Sequence, residues 1–218
     1  MQAQAADFWG KVELNARQRR YQVFASLLKA FKSPPTILDI GGTMDYWKTL
    51  GVSHKLASRI VLLNMFEQPA VDVFESVTGD ARDLSKYRDQ QFDLVFSNSV
   101  IGHVGAFGDQ MRMAREMQRV GKSFFLQTPN HGFPLDWRTR IPYFHWLPAP
   151  AQAWCFERFG VGSYAKAADH AQAVEWATRI RNIRRGELAR LFPGAIVVNE
   201  RVCGFTKSFM VHNITPGH

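Results

Sequence analysis

Short apolar runs alternate along this chain with longer stretches of helical period, and that alternation predicts its architecture. From Leu14 to Lys32 the apolar residues Val23, Leu27, Leu28 and Phe31 recur at helical spacing until Ser33-Pro34-Pro35 stops the segment. Ile37, Leu38 and Ile40 then form a run of the kind covered on both faces of a sheet. Further strand-like runs span Arg59 to Asn64, Phe92 to Ser97, Ser123 to Thr128, Ala195 to Asn199 and Phe205 to His212, with a weaker one at Val71 to Val77. Asp109 to Val120 predicts an amphipathic helix, with Met113, Met117 and Val120 opposite a stripe of Arg112, Arg115 and Arg119. Strands separated by helices predict an α/β fold with a doubly wound, mostly parallel sheet. Its last two strands turn near Arg201 to Gly204 as an antiparallel hairpin at the edge.

The first strand delivers Asp39 straight into Gly41 and Gly42. Open α/β sheets bind ligands at the carboxyl ends of their strands, and paired glycines permit positive φ and a close approach to the main chain. The order Gly41, Gly42, Thr43, Met44, Asp45 does not make the G-x-G-x-x-G of a dinucleotide site, and the Gly-Lys-Ser/Thr of a phosphate loop is absent. An acid ahead of two glycines suits a cationic ligand better than a pyrophosphate, with Asp39 holding an ammonium or ordering water around one. A purely structural strand-to-turn corner is the alternative.

Composition narrows the classes. A chain of 218 residues with 46% hydrophobic content is sized for one domain, and no apolar stretch reaches the length of a membrane span or forms a signal peptide, so a cytoplasmic protein is expected. Cys155 and Cys203 lie far apart and are expected as reduced thiols, and the seven histidines form no metal-ligand pattern. The net charge of +8 raises nucleic acid as a partner only where the cations cluster. The densest run is Arg179, Arg181, Arg184, Arg185 and Arg190, which suits phosphate, an acidic substrate or a solvated surface.

One block, 130–183, breaks the alternation. It is dense in His131, Phe133, Trp137, Tyr143, Phe144, His145, Trp146, Trp154, Phe156 and Tyr164, and it begins just after a strand's carboxyl end. Such an insertion overhangs the ligand crevice, either as a substrate pocket or lid or as a small packed subdomain.

Four segments carry a family resemblance: Ile37 to Gly42, Gly79 to Leu84, Phe92 to Val104 and Phe124 to Asn130. On these the chain resembles a class I S-adenosylmethionine-dependent methyltransferase, of the small-molecule kind called type 11. The resemblance implies a Rossmann-like, seven-stranded sheet in a single domain spanning 1–218, with 130–183 as an aromatic-rich lid insertion. It places Asp39, Gly41, Gly42 and Thr43 along the methionine part of S-adenosylmethionine, and Asp80, with the main-chain N–H of Ala81 or Arg82, at the adenine. Ser97, Asn98 and Ser99 fall at the fourth strand's end, where Asn98 meets the cofactor's amino group, and Asn64 with Met65 falls where the family holds the ribose. The departures are Thr43 and Asp45 where further glycines are usual, Asn64 (with Glu67 nearby) where an acid is usual, and Gly102 where Glu often precedes the histidine.

Methyl transfer from a sulfonium needs alignment more than catalytic side chains, with a base where the acceptor is a hydroxyl. His103, His131 and His145 are the candidate bases, Asp136 is a candidate to orient a histidine, and Arg138 or Arg140 suits an acidic acceptor. The fourth strand lacks the Asn-Pro-Pro-aromatic ending of nucleic-acid amino methylation. The resulting expectation is methyl transfer to an oxygen or nitrogen of a small molecule, acidic or aromatic. An RNA or glycan methyltransferase and an inactive cofactor-binding partner protein are the alternatives.

Overall fold

The computed structural model describes residues 18–49, 56–136 and 138–215. The start of the predicted first helix, with Arg17, and Trp137 of the aromatic block lie outside them. Helix α1 occupies residues 18–28 and leads into β1 (Thr36–Ile40) and α2 (Met44–Thr49). The chain continues through β2 (Arg59–Asn64), β3 (Phe74–Thr78), β4 (Phe92–Asn98), α3 (Phe107–Val120) and β5 (Gly121–Pro129). After β5 come α4 (Ala149–Arg158), α5 (His170–Thr178) and α6 (Arg185–Leu191), and the chain closes with β6 (Ile196–Val202) and β7 (Phe205–His212).

The seven strands form one sheet in the order β3-β2-β1-β4-β5-β7-β6. All neighbours are parallel up to β5, whereas β7 runs antiparallel between β5 and β6. The hairpin turn at Cys203 and Gly204, both at positive φ, lets β7 double back into the sheet and leaves β6 as the outer strand. Every strand from β1 to β5 but the short outer β3 is mostly buried, which is why each read as an apolar run.

Alternation along the strands separates two cores. Leu38, Ile40, Val61, Leu63, Val95 and Leu126 pack with Met113, Met117 and Val120 of α3 and Leu188 of α6. Ile37, Ile60, Leu62, Phe96 and Phe125 pack on the opposite face with Phe24 and Leu28 of α1 and Trp47 of α2. A buried ion pair between Arg20 and Glu200, whose Oε2 also accepts from Ser208 Oγ at 2.6 Å, ties α1 to the far strand pair.

The block after β5 has a third core of its own. Phe144, Ala153, Phe156, Val161, Ala167 and Ala173 are buried there, and Tyr164 and Trp176 pack against them. Among the described residues no helix is long and apolar enough to cross a membrane, and no group of three or more His, Cys, Asp or Glu is arranged to hold a metal. Cys155 and Cys203 are free thiols.

Candidate active site

The carboxyl ends of β1 and β4 lie side by side, with Ile40 opposite Ser97, while β2 flanks β1 on the other side. Chain order reverses direction at β1, and this is where a crevice opens in doubly wound sheets. Three loops edge it: the glycine loop after β1, the segment after β2, and a short 3-10 turn at Ile101–His103 after β4.

The glycine loop owes its shape to what lies beneath it. Gly41 has φ +77° and donates its N–H to Leu63 O at 2.8 Å, and a Cβ there would meet Val100 Cγ2 at 2.4 Å. A Cβ at Gly42 would fall 1.5 Å from Asp39 Oδ2, so the carboxylate occupies the space a side chain would need. Asp39 is fully buried, with Oδ2 accepting from Trp47 Nε1 at 2.5 Å and Oδ1 meeting no partner among the described residues. Burial raises its pKa to about 7, and the indole bond only partly opposes that shift. Sequence placed Asp39 at a ligand as an open charge, whereas the side chain is roofed by the loop.

Thr43 is exposed and its hydroxyl accepts from Tyr46 N at 3.3 Å, starting α2 in place of the glycine expected there. Asn64 Nδ2 donates to Gly42 O at 2.7 Å and Gln68 Nε2 donates to the same carbonyl at 3.0 Å. Asn64 therefore braces the glycine loop, a role an acid could not fill because it has no N–H to give. Met65 and Phe66 stand 73% and 60% exposed beside it as apolar surface on the rim.

Asp80 is gripped by its neighbour. Its Oδ1 accepts from Arg82 N at 2.8 Å, and both oxygens accept from the Arg82 guanidinium, whose charge and hydrogen bonds hold the carboxyl below its usual range. The Arg82 main-chain N–H is thereby spent within the protein, and Ala81 is buried. At the end of β4, Ser97 Oγ is buried and lies 3.4 Å from Ile40 O. Ser99 sits at φ +63° with its hydroxyl donating to Gln127 Oε1 at 2.6 Å. Both serines are committed to the sheet, and Asn98, half-buried, is the side chain of that trio without such a bond among the described residues.

His103 is exposed on the 3-10 turn. Protein packed around its ring, together with the charges of Arg138 and Arg179, holds its pKa below the ordinary value. Segment 180–182 covers the turn: Arg181 N donates to Gly102 O at 2.8 Å, and a Cβ on Gly102 would touch Arg181 O at 3.4 Å. Glycine at this position leaves His103 without an adjacent acid on its turn.

His131 and His145 meet edge to face with centroids 5.6 Å apart. His145 Nε2 lies 3.0 Å from His131 O, an acceptor for a ring N–H, and Nδ1 is buried without a partner among the described residues. Burial, then the charge of Arg184, lowers the pKa of His131. Asp136 does not orient either histidine. Its buried carboxylate is paired with the Arg138 guanidinium and accepts from Arg138 N at 2.8 Å, which also holds its pKa down against the opposing effect of burial.

Sequence missed Trp47 and Gln68 as supports of the glycine loop. It also passed over a signal it contained: Asp80-Ala81-Arg82 and Asp136-Trp137-Arg138 share the Asp-x-Arg spacing, and in both the acid accepts from the main chain and guanidinium two residues on.

Residues 50–123, about a third of the chain, match the family model described as a methyltransferase domain. No curated protein matches the sequence significantly. Among solved structures the chain resembles the Burkholderia thailandensis 1,6-didemethyltoxoflavin-N1-methyltransferase with bound 1,6-didemethyltoxoflavin and S-adenosylhomocysteine. The identity is 13% and the TM-score 0.55, covering 96% of this chain and 81% of that one. It also resembles the PH0226 protein from Pyrococcus horikoshii OT3, at 18% identity and TM-score 0.51 over 90% and 89% of the two chains. An O-methyltransferase family protein from Burkholderia thailandensis aligns at 10% identity and TM-score 0.55, over 97% of this chain and 59% of that one. At these identities the likeness is one of fold. The sheet order and the family match over residues 50–123 are those of class I methyltransferases, the enzymes whose methyl donor is S-adenosylmethionine.

Proposed function

We propose that the chain transfers a methyl group from S-adenosylmethionine to an oxygen or nitrogen of a small molecule, with His103 as the base. The observation that carries this is adjacency: the glycine loop after β1 and the turn bearing His103 after β4 leave neighbouring strands at the same end of the sheet. The crevice suits the cofactor's methionine end, because Gly41 and Gly42 bring no side chain of their own to the loop that edges it.

Bound there, the cofactor supplies a methyl carbon that the acceptor atom takes as the bond to sulfur breaks. Gly41 and Gly42 offer bare main chain, braced from behind by Asn64 and Gln68. Asp80 is assigned to the adenine amino group, for which it shares lone pairs with Arg82. Asn98 faces the amino group, and Asn64 keeps its carbonyl oxygen for a ribose hydroxyl, with the exposed Glu67 as the nearby carboxylate. His103, neutral at pH 7 because its pKa is lowered, accepts the proton that the acceptor gives up. The block 130–183 acts as the lid, with His131 and His145 as the remaining candidates for the role of base.

The basic run behind the RNA alternative is largely consumed in packing. Arg181 pairs with Glu187, Arg181 and Arg190 lie over the Phe107 ring, and Arg185 meets Asn199. Along α3, Arg112 pairs with Asp109, and Arg119 with Glu116 and Asp89. Calorimetry with S-adenosylhomocysteine tests the cofactor half, and absence of binding would end the proposal. Labelled methyl transfer to any acceptor in a metabolite extract tests the rest and would dispose of the inactive-partner alternative.

A further inference from the structure

Gln110 is the polar member of the buried face of α3, which Met113, Ala114, Met117 and Val120 complete. An amide sealed from water is costly unless its groups are met, and here they all are. Nε2 donates to Ile101 O at 3.1 Å and to Arg181 O at 2.8 Å, and Oε1 accepts from Arg181 Nη1 at 2.7 Å. An apolar side chain would fill the same place without that cost. Three bonds from one planar group add direction, which apolar packing does not supply.

Those bonds converge on the backbone that carries the candidate base. Ile101 O and Gly102 O belong to the two peptide groups leading into His103; Gln110 holds the first, and the second accepts from Arg181 N at 2.8 Å. His103 N donates in turn to Val100 O at 2.8 Å. Arg181 is itself held, its guanidinium paired with Glu187 and lying 5.0 Å from the centre of the Phe107 ring. Two residues on, Ile183 O accepts from His131 N at 3.0 Å and Ile183 bridges to Asn130, so the block 130–183 is joined at its neck. The neck and the His103 turn therefore meet on one buried amide. Gln118, further along α3, offers a contrast: its Nε2 donates to Ala114 O at 2.8 Å and Leu191 O at 3.0 Å, bracing α6 at a site away from the turn.

We infer that Gln110 is a positioning residue for the proposed methyl transfer, fixing the turn that presents His103 against the neck of the block 130–183. This rests on the methyltransferase reading with His103 as base. Gln110 acts through the peptide groups it holds, so its effect is on where the imidazole stands and how long it stays there.

The test uses the full chain, saturated with S-adenosylhomocysteine for the structural readouts and supplied with labelled S-adenosylmethionine and a metabolite extract for the rate. Gln110→Met suits the apolar face and removes all three bonds. It is expected to leave S-adenosylhomocysteine affinity unchanged, to speed hydrogen exchange at the His103 and Arg181 amides about tenfold, and to slow labelled transfer about tenfold or more. By NMR the His103 ring resonance is expected to move while that of the buried His212 stays. Gln118→Met, the same exchange on the same helix, is expected to lower the melting temperature without moving the His103 resonance or the rate. Arg181→Met removes only the guanidinium part of the clamp at a half-buried position, and is expected to give a smaller change of the same kind; it decides the matter where Gln110→Met does not fold. Undiminished transfer or an unmoved His103 resonance in the folded variant, or an equal loss of rate in Gln118→Met, would each overturn the inference. Failure of the wild-type chain to bind S-adenosylhomocysteine, or to transfer label to any acceptor, would instead bring down the methyltransferase reading, and this inference with it.

Discussion

Trp47 donates its indole N–H to Asp39 Oδ2 at 2.5 Å, out of reach of water and directly below Gly42. The pairing gives one oxygen a partner and leaves Asp39 an acid whose pKa is lifted by burial from 3.8 to about 7. Between those values the folded chain holds a proton that the unfolded chain releases, so stability falls as pH rises through that window and levels off above it. Asn at this position keeps an acceptor for the indole and cannot ionise. Asp39→Asn is expected to exceed the wild type in stability by about 2–4 kcal/mol near pH 8, with the gap closing toward pH 4. Urea unfolding across that range measures it, and a gap independent of pH would refute the assignment.

Two glycine substitutions separate crowding from chain entropy. Gly42→Ala drives a methyl group to 1.5 Å from Asp39 Oδ2 and is expected to cost about 3 kcal/mol or more. Gly108→Ala, in α3 with nothing within 4 Å of the new methyl, is expected to gain about 0.5–1 kcal/mol. Thermal melts of both variants show opposite shifts if the loop is closed from below as described.

Asn64→Asp is expected to weaken cofactor binding, although it introduces the acid usual for a ribose. The variant loses the N–H that meets Gly42 O at 2.7 Å and sets a carboxylate against that carbonyl, worth about 1 kcal/mol or more. Gln68 still donates to the same oxygen, so the fold is expected to survive. Tighter binding of S-adenosylhomocysteine by Asn64→Asp would show that the bracing is dispensable.

His103→Gln is expected to lower kcat by about 100-fold or more while leaving S-adenosylhomocysteine affinity unchanged. The wild-type acid limb is expected below the ordinary histidine value of 6.5, because the protein packed around the ring and the charges of Arg138 and Arg179 disfavour the imidazolium. Arg179→Gln removes one of those charges and is expected to move the limb upward. A profile unaltered by Arg179→Gln, or retained activity in His103→Gln with a loss in a His131 or His145 variant, would move the base into the lid.

The sheet was legible because most of its strands are buried on both faces, which forces the apolar runs at Arg59–Asn64 and Phe205–His212 that the structure reproduces end to end. The weak run at Val71 to Val77 settled as Phe74–Thr78, an outer strand whose partial exposure blurs the pattern. Side-chain pairing was less legible. Asp39, Asp80 and Asp136 were each read as acids facing a ligand or a histidine, and the fold gives each a nearer partner in Trp47, Arg82 or Arg138. Two of those partners lie two residues away, where the Asp-x-Arg spacing announces them. The third comes from the turn geometry of α2 eight residues on, which periodicity does not encode.

The separate core of the block after β5 is drawn wholly from residues 144–177 and shares none of its members with the two cores that clamp the sheet. Mutational damage in one compartment therefore need not propagate to the other. The sheet can stay constant while the segment after β5 diverges, much as a handle accepts different blades.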